Sequence, residues 1–307
     1  MQHEISPGDR APPVERFAPS PTGELHLGHA FSALTAWDAA QSGGGRFLLR
    51  LEDLDAGRVR ESFAGAILED LAWLGIRPDG PVLRQSTRAE AYAAALDRLA
   101  GRGLVYACSC TRRDIAEAAS APQEGAPQHG PDGLVYPGTC RGTPPDATDG
   151  ALRLDMARAI DSLGGPGAVA RLSVEEIGAG PGGETGTIAL DPGALVAGTG
   201  DAVLRRKDGA AAYHLAVVVD DAHEGVSHVT RGEDLFAATP LHRLLQALLG
   251  LPVPVWRHHR LIRDAQGRRL AKRDRDLALS ALRAAGVTPA GVRARLGLAP
   301  APWDGPG

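Results

Sequence analysis

Arg16-Phe17-Ala18-Pro19-Ser20-Pro21-Thr22-Gly23-Glu24-Leu25-His26-Leu27-Gly28-His29 runs from a short strand through a tight turn toward a helix, and it carries two histidines at the junction. Pro19 and Pro21 keep the backbone out of helix, Thr22-Gly23 reads as a turn, and the spacing of Ala30, Leu34 and Trp37 starts a helix at about Leu27. His26 and His29 therefore sit at a helix N-terminus. Unpaired N–H groups and the positive end of the helix dipole make such a junction suited to an anion, and Gly28 removes the side chain where a nucleotide would approach. Alone, the pair could be two ordinary surface histidines near a cap. The partners found further along the chain decide between the two readings.

The 307 residues, 43% hydrophobic, can bury a full core as one large domain with an insertion or as two domains. A net charge of −4 argues against bulk electrostatic binding to nucleic acid and leaves room only for a local basic strip. No apolar run approaches the ~20 residues of a membrane span, and Met1 to Glu15 lacks the apolar stretch of a signal peptide. A cytoplasmic protein with no membrane partner is expected. Residues 1–15 and 299–307 read as mobile tails. Lys207 and Lys272 are the only lysines in a chain that otherwise uses arginine, so each is a candidate for a role that needs a lysine.

The helix from Leu27 stops at Ser42-Gly43-Gly44-Gly45, and Arg46 to Leu51 reads as a buried strand. Glu52-Asp53-Leu54-Asp55 follows at its carboxyl end, where ligands bind in open α/β sheets. Helices are expected at about Arg60 to Leu74 and Arg88 to Arg102, then a short strand at Leu104 to Ala107. All three cysteines, Cys108, Cys110 and Cys140, lie in one segment, which suggests thiolate coordination of zinc more than a disulfide. Ala119 to Gly133 reads as a loop. Strands are expected at 152–154, 187–190 and 202–205, with Lys207-Asp208-Gly209 as a hairpin turn into a strand from Ala211 to Val219. Val226 to Val229 is a further strand, followed by Arg231-Gly232-Glu233-Asp234 and a helix from Pro240 to Leu249. After Val255 to Ile262 come a turn at 264–267, the basic run 268–273 and two short helices.

The opening stretch closely resembles the first signature of class I aminoacyl-tRNA synthetases in the form used by glutamyl-tRNA synthetases. Arg269-Leu270-Ala271-Lys272-Arg273 is similar to the mobile basic loop of that family, with Arg269, Ala271 and Arg273 in place of a lysine and two serines. The strings 49–55, 213–221 and 230–235 also resemble family blocks. The resemblance covers Arg16 to about Arg273 and is weakest between Thr143 and Gly186. It implies an α/β fold: a Rossmann-like catalytic domain with a parallel sheet, an inserted subdomain bearing a zinc element, and a short helical C-terminal part. The expected boundaries are 16–107 and 207–250 for the two catalytic halves, 108–206 for the insert with its zinc element at 108–140, and 251–298 for the signature hairpin and last helices.

For such an enzyme the resemblance implies ATP with Mg²⁺ and adenylation of an amino acid, which needs alignment and donors aimed at charge on the phosphate. His26, His29 and Lys272 are the implied catalytic residues, and His26, Gly28, His29 and Lys272 the ATP-binding ones. A side-chain carboxylate needs forked cationic donors and a primary ammonium needs a carboxylate. In the glutamyl pattern Arg16, Tyr213 and Arg231 meet the L-glutamate side chain, Glu52 its ammonium, and Ser20 helps hold it. For zinc the resemblance implies one structural ion on Cys108, Cys110, Tyr136 and Cys140, with His129 a rival for Tyr136 because tyrosine is an uncommon zinc ligand.

A glutamyl-tRNA synthetase would continue into a helical anticodon-binding region longer than the residues that follow Arg273. The pattern without that region resembles the glutamyl-queuosine tRNA(Asp) synthetases, which activate glutamate and attach it to queuosine in the anticodon loop of tRNA(Asp). Arg257, Arg260, Arg263, Arg268, Arg269 and Arg273 are candidate phosphate contacts, and a monomer is expected. Two alternatives stay open: a truncated or split glutamyl-tRNA synthetase charging the tRNA 3′ end, and a non-catalytic RNA-binding or regulatory paralogue.

Overall fold

Strand β1 (Val14–Phe17) lies parallel to β2 (Arg46–Leu51), in the register Val14↔Arg46 to Phe17↔Leu49, and helix α1 (Leu27–Ser42) makes the crossover between them. This is seen in a computed structural model that describes residues 11–120, 129–147, 150–263 and 278–300. A short β3 (Leu83–Arg84) extends the sheet parallel to β2, after helix α2 (Glu61–Trp73). Helix α3 (Ala89–Ala100) then leads into β4 (Val105–Cys108). The apolar run of β2 is buried from Phe47 to Leu51, as a strand covered on both faces must be.

With β4 the chain has left the parallel layer. The hairpin of β5 (His129–Gly130) and β6 (Gly133–Leu134) follows a helix, Arg112–Ser120, where a loop was expected from 119 to 133; residues 121–128 lie outside the described residues. β7 (Ala151–Leu154) pairs antiparallel with β4 and, on its other edge, with β10 (Val203–Arg205). Between them β8 (Ser173–Glu176) and β9 (Gly186–Ala189) form an antiparallel hairpin that joins a different sheet. That sheet runs β11-β12-β8-β9, with β11 (His228–Gly232) and β12 (Val255–His259) parallel and β8 docked on β12 through Trp256↔Glu176. So β8, inside the segment expected to be an insert, is a strand of the second half's parallel layer.

One expectation is corrected. Ala211 does bridge Arg205 across the Lys207-Asp208-Gly209 turn, but the residues beyond it form a helix, Tyr213–Glu224, and no strand. Leu215 to Val218 are all buried, so the sequence shows a continuous apolar run whose period cannot separate a buried strand from a buried helix. The helix ends on Gly225 with φ of 69°, a left-handed cap that favours glycine.

β1 meets β11 where the two halves join: Ser227 N donates to Val14 O at 3.0 Å and Val14 N to Ser227 Oγ at 2.8 Å. The last helices, Leu279–Ala284 and Pro289–Leu296, pack beneath α1 and α2, with Leu279 and Val292 fully buried beside Leu34 and Ile67. They also pin the opening stretch, because Leu279 N donates to Leu25 O at 2.9 Å and His26 bridges Ala278. Arg293 Nη1 donates to Asp38 Oδ1 at 3.1 Å, tying the last helix to α1. No described helix is long and apolar enough to cross a membrane.

Candidate active site

His26 is the N-cap of α1. Its Nδ1 accepts from Gly28 N at 3.1 Å, while His29 Nδ1 accepts from His26 N at 3.2 Å, so the two imidazoles close a reciprocal capping box. With Nδ1 accepting in both, the proton of each neutral ring sits on Nε2. The rings stack with centroids 3.8 Å apart. Gly28 is required by this packing: a Cβ there would lie 2.9 Å from His26 Cε1 and 3.0 Å from Nδ1.

The cap opens on a cavity of about 350 Å³ at the carboxyl ends of β1, β2 and β11, and Arg16, Ser20, His26, Gly28, His29, Glu52, Tyr213 and Arg231 all line it. The fold thus brings together every residue expected to meet ATP or glutamate except Lys272, which lies outside the described residues with Arg268, Arg269, Ala271 and Arg273. Arg16 is nearly buried at the C-terminal part of β1. Its Nε donates to Asp221 Oδ1 at 3.1 Å and its Nη1 to Thr230 O at 3.2 Å. The same Asp221 oxygen accepts from Arg50 Nη1 at 2.8 Å, and Arg50 also bonds Glu224 Oε2 at 2.7 Å. Burial alone would raise the Asp221 pKa, but the two guanidinium groups outweigh burial and hold it below the usual carboxylate range.

Glu52 stands 3.9 Å from Arg50 at the end of β2. Burial pushes its pKa up to about 7, further than Arg50 and Arg16 pull it down. Arg231, 5% exposed on β11, is held differently from Arg16. Nε donates to His258 Nε2 at 3.0 Å, Nη2 to Thr239 Oγ1 at 2.7 Å, and Nη1 reaches His242 Nδ1 at 3.2 Å and Tyr213 Oη at 3.4 Å. Every one of these acceptors is formally neutral, and among the described residues no carboxylate comes within 4.0 Å of this guanidinium. A buried cation without an ion-pair partner, opening on a cavity, is arranged to receive an anion.

At the edge of the β4-β7-β10 sheet, the Sγ atoms of Cys108, Cys110 and Cys140 lie within 4.8 Å of one another, and none is in a disulfide. Cys110 Sγ is 3.5 Å from Cys140 Sγ and 3.4 Å from Tyr136 Oη, and Tyr136 Oη accepts from Cys140 N at 2.9 Å. Three thiols at this separation suit an ion about 2.3 Å from each sulfur. His129 is exposed on β5 and belongs to no group of metal-ligating atoms found among the described residues. Lys207 Nζ donates to Ser109 O at 2.6 Å, between the first two cysteines.

Residues 14–132 and 185–300 match the family of class I tRNA synthetases (E and Q), catalytic domain. The glutamyl-Q tRNA(Asp) synthetase of Rhodobacter capsulatus is 54% identical over 290 residues, covering 93% of this chain and 100% of its own. That of Nocardia farcinica is 45% identical over 94% of this chain and 86% of its own. The chain belongs to the glutamyl-Q tRNA(Asp) synthetase family. It is accordingly a ligase of the aminoacyl-tRNA synthetase type, with the fold of a class I catalytic domain. The glutamate tRNA ligase of Elizabethkingia meningosepticum, solved with its amino acid, superposes with a TM-score of 0.66 at 27% identity over 87% of this chain. The chain spans only about half of that structure, 53%. The unmatched segment 133–184 overlaps most of the stretch, Thr143 to Gly186, whose resemblance to the family is weakest in the sequence.

Sequence reasoning had singled out neither Asp221, which orients Arg16, nor His242 and His258, which hold Arg231. Asp221 sits in a family-like string, but nothing in its spacing says which arginine it meets 205 residues away.

Proposed function

We propose that this protein activates L-glutamate with ATP as glutamyl-adenylate and transfers it to the queuosine base in the anticodon loop of tRNA(Asp). The observation that carries the reading is Arg231, a buried guanidinium with no carboxylate partner among the described residues, facing the same cavity as the capped histidines. A glutamate γ-carboxylate supplies the missing anion there, with Arg16 and Tyr213 beside it. Glu52 takes the α-ammonium, and Ser20 lies alongside. Turned this way, the α-carboxylate points toward the N-terminus of α1, where Nε2–H of His26 and His29 and the helix dipole favour a phosphate. The substrate carboxylate oxygen bonds to the α-phosphorus and pyrophosphate leaves. Mg²⁺ accompanies ATP, and Lys272 adds charge to the departing phosphates. Lys272→Ala is expected to cost about 3 kcal/mol of transition-state stabilisation, as loss of one oriented donor does.

Cys108, Cys110, Tyr136 and Cys140 would hold one Zn²⁺, which when bound supplies a structural crosslink. The acceptor reading draws on the names of the two relatives and on the basic residues Arg257, Arg260 and Arg263 at and beyond β12, since an unpaired anticodon base offers its edges to a pocket. The test loads labelled glutamate onto tRNA(Asp) from which the 3′-terminal adenosine has been removed. Loading should survive the trimming and vanish on tRNA(Asp) lacking queuosine. Loading that is lost on trimming, or that appears on unmodified tRNA(Glu), would instead make this a short glutamyl-tRNA synthetase.

A further inference from the structure

The hydrogen bonds behind Arg231 have only one consistent direction. A guanidinium can only donate, so His258 Nε2 and His242 Nδ1 must both be acceptors. His258 then carries its proton on Nδ1 and donates a hydrogen bond from it to Glu176 Oε2, 2.5 Å away. His242 carries its proton on Nε2 and donates to His214 Nδ1 at 3.0 Å, and His214 in turn donates from Nε2 to the Asp132 carboxylate at 3.0 Å. Two relays, Glu176–His258 and Asp132–His214–His242, therefore converge on one guanidinium, each with a carboxylate at the far end and an imidazole lone pair at the near end. Glu176 has no freedom in this. Its Oε1 accepts from His258 N at 2.9 Å and Gly178 N at 2.8 Å, which leaves Oε2 for the ring.

An arginine held directly by those carboxylates would be neutralised before substrate arrived. We propose that His258 and His242 are positioning residues that hold Arg231 through neutral lone pairs, so that its charge is kept for the side-chain carboxylate of the substrate. This rests on the glutamate reading of the cavity and assigns its specificity to groups that line neither the substrate nor ATP. Burial, and after it the charge of Arg231, depress the basicity of both rings, in keeping with neutral imidazoles. Thr239 Oγ1, accepting from Nη2, is a third neutral support.

The variants His242→Gln and His242→Glu are nearly the same shape and differ in charge. ATP–pyrophosphate exchange is measured with each, titrating glutamate and ATP separately. His242→Glu is expected to raise the KM for glutamate by about tenfold or more, while His242→Gln, which keeps a neutral acceptor, raises it by less than about threefold; the KM for ATP moves by less than about twofold in both. Glu176→Gln gives a second, independent reading. Its oxygen must stay on the two backbone N–H groups, so its NH₂ faces His258 Nδ1 and drives the imidazole proton onto Nε2, against Arg231. The same selective loss of glutamate is expected, again about tenfold. Equal effects of His242→Gln and His242→Glu, or changes in the KM for ATP as large as those for glutamate, would overturn the proposal. Arg231→Gln separates this from the parent reading. If it spares the KM for glutamate, the glutamate pocket itself is misplaced; if it raises that KM and neither His242→Glu nor Glu176→Gln does, only the positioning role falls.

Discussion

Arg16 Nε donates to Asp221 Oδ1 at 3.1 Å, across 205 residues of chain, and thereby ties the strand that opens the fold to the helix that begins with Tyr213. The contact sits behind the cavity and turns the guanidinium toward it. Because Asp221 Oδ1 also takes Arg50 Nη1, one carboxylate balances two buried cations.

Asp221→Asn keeps an oxygen in place and removes the charge. Arg50 retains Glu224, so the uncompensated cation is Arg16, and breaking a buried pair from one side costs about 3 kcal/mol. Urea unfolding should show a lower midpoint at an unchanged slope. A loss below about 1 kcal/mol would mean that solvent, and not Asp221, carries the Arg16 charge.

Glu52 gives the site a pH dependence. Its pKa is raised to about 7, so below that pH it is protonated and, in the glutamate pocket proposed above, would offer the substrate ammonium no charge. The KM for glutamate should therefore rise as pH falls from about 8 to about 6, and the dependence should be absent in Glu52→Gln. The stability of the free protein runs the other way. A carboxyl whose folded pKa is raised contributes stability below the ordinary carboxylate range and loses it as pH rises through about 7. A glutamate KM that follows pH equally in the wild type and Glu52→Gln would remove Glu52 from the ammonium site.

What could be read from the sequence and what could not divide along physical lines. β1, α1 and β2 were legible because turn residues, an N-terminal junction and a run of glycines bound them, and those signals are local. The eight expected residues that line the cavity were legible through the resemblance of their stretches to the glutamyl family. The run Leu215 to Val218 was not, since an apolar stretch buried on all sides carries no period. Nor could spacing reveal that β8 leaves its neighbours in sequence to dock on β12, or that His214 and His242, 28 residues apart, share a hydrogen bond. Those relationships are long-range, and their residues are unremarkable alone.

The cysteine group should carry metal. One zinc per chain is expected in purified protein by atomic absorption, and Cys140→Ser should lose it. Tyr136→Phe is expected to weaken retention against a chelator, whereas His129→Ala should not. Stripping the ion should also lower the unfolding temperature, because a structural site contributes its binding energy to folding. Metal-free protein with unchanged unfolding would remove zinc as a structural element.

Gly28→Ala tests whether the capped histidines serve the nucleotide. The new Cβ would stand 2.9 Å from His26 Cε1, and the ring that must yield is itself the cap, bonded to Gly28 N and stacked on His29. Moving it breaks the capping bond and shifts both Nε2 donors together. Loss of an N-cap costs about 1 kcal/mol, so the protein should stay folded with a modestly lower unfolding temperature. If the proposed site holds, the KM for ATP should rise by about tenfold, because the two donors proposed to face the phosphate lose their place at once, while the KM for glutamate, which the proposal assigns to Arg16 and Arg231 on β1 and β11, should change by less than about threefold. If instead the KM for ATP is unchanged, the space beside Gly28 serves only the packing of α1, and the phosphate site lies elsewhere in the cavity.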